Sequence, residues 1–445
     1  MALGNVFMKD TDGNIGGATP TATEKFCGLL FDISGQTDFW TKGQGKKAAE
    51  YLKDTVVELN SYADAAKVGI MPYTGGTTIE GGNKVSTDFL AGIPDFHIKQ
   101  FFEMAGGTGR LFVAFADCSN TWGALLDMQR ASGGIINQFG VWTEQALWKN
   151  MDTAAATYSI DLVGSLNSIA DQMANEYFAP ASIILSANTS KVTTAAGSEN
   201  KVVFSKIPSC IISARYVTVL LGQSMDSDVK KMQASLASTT PVGTIGLLLG
   251  CLTQAFVGES FAWVQKFDIA SYVSGIEMGF GDSTVANGVL TNATAYTAVT
   301  KAQADDLDDK GYVFLRTYEG LEGHVYYTKD RTCSDGDFCT VARNRTINKS
   351  RRVTRAALLP YVNSPVKVDP AKGQLSAGQV TEYKNLIATG LQAMETAGEI
   401  SGVGTITIDA AQNVLKNKKL EFAYSLVPLG CAGSIDVTES LVVSR

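Results

Sequence analysis

Apolar and polar positions follow two different periods along this chain, and together they predict alternating strands and helices. Mostly apolar runs of strand length occur at 26–33 and 111–116. Between these runs, apolar residues recur every three to four positions near 45–62, which is the spacing of an amphipathic helix. Strands that alternate with helices favour an α/β layered domain with a largely parallel sheet. The same reasoning predicts further helices at 97–104, 120–130, 160–178, 242–257 and 302–310, and further strands at 135–141, 181–185, 216–221, 312–316 and 324–327.

The last hundred residues change in character, beginning with a cationic run. No Asp or Glu occurs between Asp337 and Asp369, although the formal net charge of the chain is −7. The cations of this run are Arg343, Arg345, Lys349, Arg351, Arg352 and Arg355. A charge run of this kind can be a solvated helix face, a nucleic-acid site or a protein interface. Few aromatic residues lie nearby to stack on bases, so an interface with an acidic protein surface is favoured over nucleic acid.

An amphipathic helix and several strands are predicted after the cationic run. The helix has one apolar face, made of Val380, Tyr383, Leu386, Ile387, Leu391 and Met394. Period-two alternation then predicts half-buried strands at 405–408, at 420–426 and at 435–443. The last of these presents Ile435, Val437, Leu441 and Val443 on alternating positions. Such a strand offers an unpaired backbone edge that a neighbouring chain could extend.

Composition narrows the class of protein without identifying its function. A length of 445 residues favours two or three domains, and 45% hydrophobic with 18% charged residues is typical of a globular protein. A pI of about 5.1 argues against general nucleic-acid affinity. We expect neither a secretory signal nor a transmembrane segment, and the seven scattered cysteines fit a reducing compartment.

Few residues are arranged for chemistry. His97 and His324 lack any metal-protease spacing, and the glycine-rich loop at 105–110 lacks the lysine and hydroxyl of a phosphate-binding loop. Cys333 and Cys339 are spaced too widely for a typical zinc pair. We therefore predict no catalytic residue, no cofactor and no metal. A nucleotide- or sugar-binding α/β enzyme remains the alternative, and it would need convergent polar groups at the carboxyl ends of the strands.

Taken in order, several segments of the chain resemble contractile tail sheath proteins of phages and related contractile injection systems. The likeness is greatest to a Bacteroidetes-type branch of sheath-like proteins. The segments that carry it are the buried helical stretch 241–250, the segments 307–315 and 325–333, the Arg-rich helix 343–359, the extended piece 364–368, the helix within 373–400 and the strand–strand ending.

The resemblance implies a layered α/β sheath-type body with a mixed α+β C-terminal domain and extended arms at both ends. The predicted divisions are an N-terminal arm at 1–24, an α/β body at 25–300 with room for an outer subdomain within 186–300, a C-terminal α+β sheath domain at 301–434, and a C-terminal strand or arm at 435–445. Another phage structural protein, of the baseplate or capsid, is a further alternative.

The resemblance also implies a non-enzymatic subunit that self-assembles as stacked hexameric rings around a tail tube and contracts when the subunits repack. Its partners would be copies of itself, the tail tube protein, and baseplate and tail terminator proteins, with no nucleic acid and no membrane insertion. It would be assembled in the bacterial host cytoplasm and found in a virion tail or contractile particle. Ile435, Val437, Leu441 and Val443 would form an inter-subunit strand. The tube-facing residues would be Arg343, Arg345, Lys349, Arg351, Arg352 and Arg355.

Overall fold

The structure is a computed structural model. It describes residues 24–34, 55–70, 72, 77–80, 83–86, 89–107, 109–152, 154–197, 199–200, 202–221, 223–224, 242–273, 276–277, 289–290, 299–433, 435 and 437. No helix within these ranges is both long and apolar enough to cross a membrane.

A largely parallel sheet forms the centre of the molecule. Its strand order is β10-β7-β6-β1-β5-β2, with β8 paired to β7. Neighbouring strands from β5 to β10 run parallel, and only the edge strands β2 and β8 are antiparallel. The strands are β1 (Phe26–Asp32), β2 (Val57–Leu59), β3 (Thr77–Glu80), β4 (Asn83–Ser86), β5 (Arg110–Ala116), β6 (Gln138–Asn150), β7 (Ser182–Thr194), β8 (Glu199–Asn200), β9 (Val202–Val203), β10 (Val217–Val219), β11 (Gln223–Ser224), β12 (Ile276–Glu277), β13 (Val289–Leu290), β14 (Leu315–Arg316), β15 (Tyr326–Tyr327), β16 (Gly402–Ile408) and β17 (Phe422–Val427).

Helices cover both faces of this sheet, which confirms the predicted α/β fold class. α2 and α5 pack on one face and α3 and α4 on the other, and each face has its own apolar core. Strands that are buried on both faces have almost continuously apolar sequences, which is why the sequence pattern identifies them. The helices are α1 (Tyr62–Lys67), α2 (Phe89–Ala105), α3 (Ala124–Ala131), α4 (Asp161–Asn175), α5 (Ile245–Gln254), α6 (Lys301–Asp309), α7 (Val341–Leu358), α8 (Ala377–Thr396) and α9 (Val414–Asn417).

Glycines allow α5 to approach α2 very closely. A β-carbon at Gly246 would lie 2.0 Å from the carbonyl oxygen of His97 on α2. At Gly250, one turn further, it would lie 2.6 Å from the β-carbon of Met104. The two helices are therefore in backbone contact beneath the sheet. The side chain of His97 is itself buried, which lowers its pKa to about 3, so this histidine is neutral within the core.

A separate core lies in the C-terminal unit, which consists of α8 and the two-stranded sheet β16–β17. The predicted apolar face of α8 is confirmed, because Tyr383, Ile387, Leu391 and Met394 are all buried there. These side chains pack against the inner face of β16 and β17, where Leu426 is buried. The C-terminal unit thus has its own hydrophobic centre beside the α/β body, by which we mean the central sheet with α2–α5.

The structure differs from the sequence-based prediction in one helix. The helix expected near 45–62 is wrong for Val57–Leu59, which form the strand β2 against β5. Glu58 points away from the core while Leu59 is buried, so strand alternation prevails there. Residues 45–54 lie outside the described part of the chain. The predicted N-terminal arm, apart from Glu24, and Leu441 and Val443 also lie outside it.

Candidate functional site: the cationic helix and the C-terminal hairpin

The cationic run forms the long helix α7, which we call the cationic helix. Its N-terminus is capped by Thr340, whose hydroxyl accepts a hydrogen bond from the backbone N–H of Arg343 at 3.2 Å. The carboxylate of Asp330 accepts another from the N–H of Ala342 at 3.1 Å, placing an acidic group at the positive end of the helix. Burial raises the pKa of Asp330 to about 7.

Arg345 lies inside the protein and caps the C-terminus of α5. Its guanidinium donates to the carbonyl oxygens of Leu252, Ala255 and Phe256 at 3.0, 3.2 and 3.3 Å. The last carbonyls of a helix have no partner within the helix and carry its partial negative charge, so a cation satisfies them well. Burial lowers the pKa of Arg345, and the nearby carboxylate of Glu24 opposes that shift. The cationic helix is thereby bound to the α/β body.

Lys349 binds the C-terminal unit through a buried ion pair. Its ammonium lies 2.5 Å from a carboxylate oxygen of Glu399, and the two side chains are only 3% and 10% exposed. Glu399 sits between the end of α8 and the start of β16. Burial raises the pKa of Glu399, and the positive charge of Lys349 opposes this. One face of the cationic helix therefore holds the segment that leads into the hairpin.

Arg352 continues this face of the helix towards the beginning of the central sheet. It pairs with the carboxylate of Glu24, just before β1, and donates to the carbonyl of Pro180, just before β7, at 2.8 Å. Arg345, Lys349 and Arg352 follow the spacing i, i+4, i+7, which places them along one helix face. Together with Glu24 and Glu399 they form what we call the buried ionic cluster, at whose rim the side chain of Arg352 stays 13% exposed.

A second face of the cationic helix contacts the side of the α/β body that contains α4. Arg351 donates to the hydroxyl of Tyr216 at 3.0 Å and to the side-chain oxygen of Asn175 at 2.7 Å. Arg355 lies over the ring of Phe178, with its guanidinium carbon 4.1 Å from the ring centroid. The cations of this helix therefore hold it between the α/β body and the C-terminal unit.

The structure places the six predicted tube-facing cations in two environments. Arg345, Lys349 and Arg351 are buried against groups of their own chain. Arg343, Arg352 and Arg355 are partly exposed, and a contact between them and a tube stays a prediction. Sequence patterns did not identify Glu24 and Glu399 as partners, because they lie 328 and 50 residues away from Arg352 and Lys349.

The hairpin β16–β17 has the composition of a sheet that accepts further strands. Neither strand contains a charged residue or a proline, the two features that normally protect an exposed sheet edge. Within the described residues each strand pairs only with the other. A two-stranded sheet gains stability from packing on a helix, as here on α8, and from an added strand. Gly404 lets the two strands approach closely, because a β-carbon there would lie 2.4 Å from the hydroxyl oxygen of Ser425.

The segment that would supply an inter-subunit strand is described at two positions. Ile435 and Val437 are 83% and 76% exposed and belong to no strand of this chain. The structure therefore leaves them free of their own hairpin. Whether they pair with another copy stays a prediction, as it does for Leu441 and Val443.

The carboxyl edge of the central sheet is where an enzyme of this fold would bind its ligand. Asp32, at the end of β1, is buried there and accepts five hydrogen bonds from its own chain. The donors are the N–H and hydroxyl of Ser34, the N–H of Cys118, the hydroxyl of Thr143 and the amide of Gln145, at 2.6–3.0 Å. A carboxylate offers about four lone-pair positions, so this group is saturated. Asp32 ties together the end of β1, the segment that follows β5 and the middle of β6.

Comparison with known proteins identifies relatives of this fold. The family model described as DUF2586, N-terminal domain, matches residues 3–331, and that of the DUF2586 C-terminal domain matches residues 337–444. No curated protein matches the chain. The boundary between the two models falls just before the cationic helix.

Two solved structures of contractile particles share the fold over the whole chain. A chain from the anti-feeding prophage baseplate is 13% identical, with a TM-score of 0.54 and 100% of both chains covered. A chain from the contracted PVC sheath complex of an extracellular contractile injection system is 11% identical, with a TM-score of 0.53, covering 100% of this chain and 98% of the other. A sheath tail protein from Desulfitobacterium hafniense is 8% identical, with a TM-score of 0.41, covering 96% of this chain and 100% of the other. The resemblance to contractile sheath proteins is thus confirmed at the level of fold, while the Bacteroidetes-type branch stays a prediction.

Proposed function

The chain belongs to the DUF2586 family, and from that premise we propose that it is a structural, non-enzymatic subunit of a contractile tail sheath. Copies of it would self-assemble as stacked hexameric rings around a tail tube and contract by repacking to drive the tube through a target envelope. The observation that carries the proposal is the uncharged, open-edged hairpin β16–β17. The whole-chain fold shared with chains of a contracted sheath complex and of a baseplate supports it.

Strand donation is the proposed link between subunits. The segment 435–445 of one copy would extend the hairpin of another, and the segment 1–24 would serve as a second arm. Backbone hydrogen bonds along an added strand give affinity without requiring a large apolar surface. Such a link can persist while the bodies of the subunits rotate, which a contracting tube requires.

The buried ionic cluster supports contraction by movement between subunits rather than within them. Glu24 lies where the N-terminal arm joins β1, and Glu399 lies where the hairpin begins. Both are held by the same helix through Arg352 and Lys349. The α/β body and the C-terminal unit would therefore move together as one piece.

The remaining partners follow from the same proposal. The subunit would contact a tail tube protein, baseplate proteins and a terminator protein, and it would work in a virion tail or contractile particle after assembly in the bacterial cytoplasm. Contact with the tube is proposed for the partly exposed Arg343, Arg352 and Arg355. The saturated carboxylate of Asp32 supports a non-enzymatic role, because this polar group at the usual ligand edge of the sheet is occupied by internal hydrogen bonds. A baseplate component is the second candidate, favoured by the likeness to a baseplate chain.

Removal of residues 435–445 is expected to leave a folded subunit that no longer polymerises. The deletion removes the donated strand, whereas the three apolar cores of the described chain lie outside it. Circular dichroism with thermal melting would report the fold, and sedimentation would report polymers. The matched control is Leu415→Asp, which places a charge at a residue 67% exposed on the short helix α9 and should leave polymerisation intact. Normal polymers from the shortened chain would rule out donation from this end.

A further inference from the structure

Two large aromatic side chains lie exposed beside the end of α5. Phe256 and Trp263 are 67% and 47% exposed, and the ammonium of Lys266 lies 4.8 and 5.9 Å from their ring centroids. We call these three residues the aromatic patch. Exposed aromatic residues that lie together are typical of protein–protein contact sites.

The aromatic patch is held rigid by its own hydrogen bonds. One carboxylate oxygen of Glu259 accepts from the backbone N–H of Phe256 at 2.8 Å and from the ammonium of Lys266 at 2.6 Å. The carbonyl of Phe256 is itself bound by the buried Arg345. A surface ordered in advance loses little conformational freedom when it binds, which favours affinity.

The aromatic patch adjoins one end of the hairpin β16–β17. A β-carbon at Gly258 would lie 2.7 Å from the carbonyl oxygen of Glu399 and 3.3 Å from the side chain of Leu429. The N–H of Ser401 donates to the carbonyl of Val427 at 2.9 Å, so these residues mark the end where β16 begins and β17 finishes. A strand added to this sheet and continuing past that end would reach the patch.

The described residues of the chain's own C-terminal segment lie near this place and leave both aromatic rings exposed. Leu429 lies against the loop that carries the patch, yet Ile435 and Val437 further along remain 83% and 76% exposed. The same chain therefore displays two exposed apolar residues, Ile435 and Val437, and an exposed aromatic patch. Complementary surfaces at different places on one molecule associate head to tail and produce rings or open helical assemblies.

The charges of the C-terminal segment and of the aromatic patch also favour binding between two copies of the chain. Asp436 stands between Ile435 and Val437 in the sequence, and Glu439 follows. The patch carries Lys266, whose ammonium is partly exposed beside the two rings. Lys266 pairs with Glu259 and keeps 30% of its side chain exposed, so an incoming segment would bring acidic groups towards this cation while its apolar side chains meet the aromatic rings.

We propose that the aromatic patch of one copy binds the segment 435–439 of a second copy, with Ile435 and Val437 packed on Phe256 and Trp263. This inference rests on the proposed strand donation and identifies the residues that receive the donated segment beyond the hairpin. Phe256 and Trp263 would then act as the anchors of the contact, while the hairpin edge supplies backbone pairing.

Photo-crosslinking in the full-length protein tests the contact. A benzophenone amino acid replaces Trp263, and ¹⁵N-labelled and unlabelled chains are mixed before assembly and then irradiated. The expected result is a crosslink from position 263 to residues 433–445 that joins labelled to unlabelled chains. Crosslinks that join only chains of the same label, or that reach another segment, would overturn the inference.

Substitutions give a second readout. Phe256→Ser with Trp263→Ser should raise the protein concentration needed for assembly about tenfold or more, the effect of losing interface anchors. Leu415→Ser, equally exposed at 67%, should leave that concentration unchanged. Normal assembly of the double variant would overturn the patch while leaving strand donation standing. A wild-type protein that never assembles would instead overturn the proposed function, and this inference with it.

Discussion

Replacing Lys349 with Met is expected to lower the free energy of unfolding by about 3–5 kcal/mol, the usual cost of breaking a buried ion pair by removing one partner. The ammonium of Lys349 and the carboxylate of Glu399 lie 2.5 Å apart with almost no exposure to water. The substitution leaves Glu399 as an uncompensated buried carboxylate. Chemical denaturation of both proteins at neutral pH measures the difference.

Two further variants separate the ion pair from general disruption of the helix. Lys349→Met combined with Glu399→Leu should recover most of the loss, because no unpaired charge remains. Lys301→Met is the matched control, since Lys301 pairs with Asp305 at 2.6 Å on a helix surface and is 89% exposed. Its effect should stay below about 0.5 kcal/mol. Equal, small effects at Lys349 and Lys301 would show that the cationic helix is not buried between the two units.

Replacing Gly246 with Ala is expected to destabilise the protein by about 3 kcal/mol or more, above the usual range for an overfilled core. The new methyl group would lie 2.0 Å from the carbonyl oxygen of His97. That oxygen belongs to the backbone of α2 and cannot rotate away as a side chain would. Either α5 shifts away from α2 or the helices deform, and both changes open the core beneath the sheet.

Gly164→Ala is the control for Gly246→Ala. Gly164 also lies inside a helix, α4, but a β-carbon there meets nothing within 4 Å. Alanine at that position should stabilise the protein by about 0.5–1 kcal/mol, because glycine is the weaker helix former. Thermal melting of the two variants should therefore show shifts in opposite directions. A melting temperature for Gly246→Ala equal to or above that of the wild type would contradict the backbone contact between α2 and α5.

The sequence identifies the central sheet well because its strands are buried on both faces. Runs such as 26–33 and 111–116 can only be accommodated between two layers, and the structure places β1 and β5 there. The apolar face of α8 is equally clear, since Tyr383, Ile387 and Leu391 recur at helical spacing and are buried. Periodicity thus predicts elements whose environment is uniform along their length.

The environment of the cationic helix varies along its length, so the sequence pattern does not show which of its cations are buried. A row of Arg and Lys normally indicates a solvated or partner-facing surface. Here the partners are backbone carbonyls at the end of α5 and carboxylates brought near only by the fold. Neither kind of partner leaves a local signal in the sequence. The predicted helix near 45–62 fails over 57–59 for a similar reason, because pairing with β5 is a long-range contact.

The central claim is that this chain assembles with copies of itself as a sheath. Negative-stain electron microscopy of the purified full-length protein, across a series of rising concentrations, tests it most directly. The account predicts helical tubes or stacked rings with a central channel. Compact single particles at every concentration, stabilised by a small-molecule ligand, would contradict it and favour an enzyme.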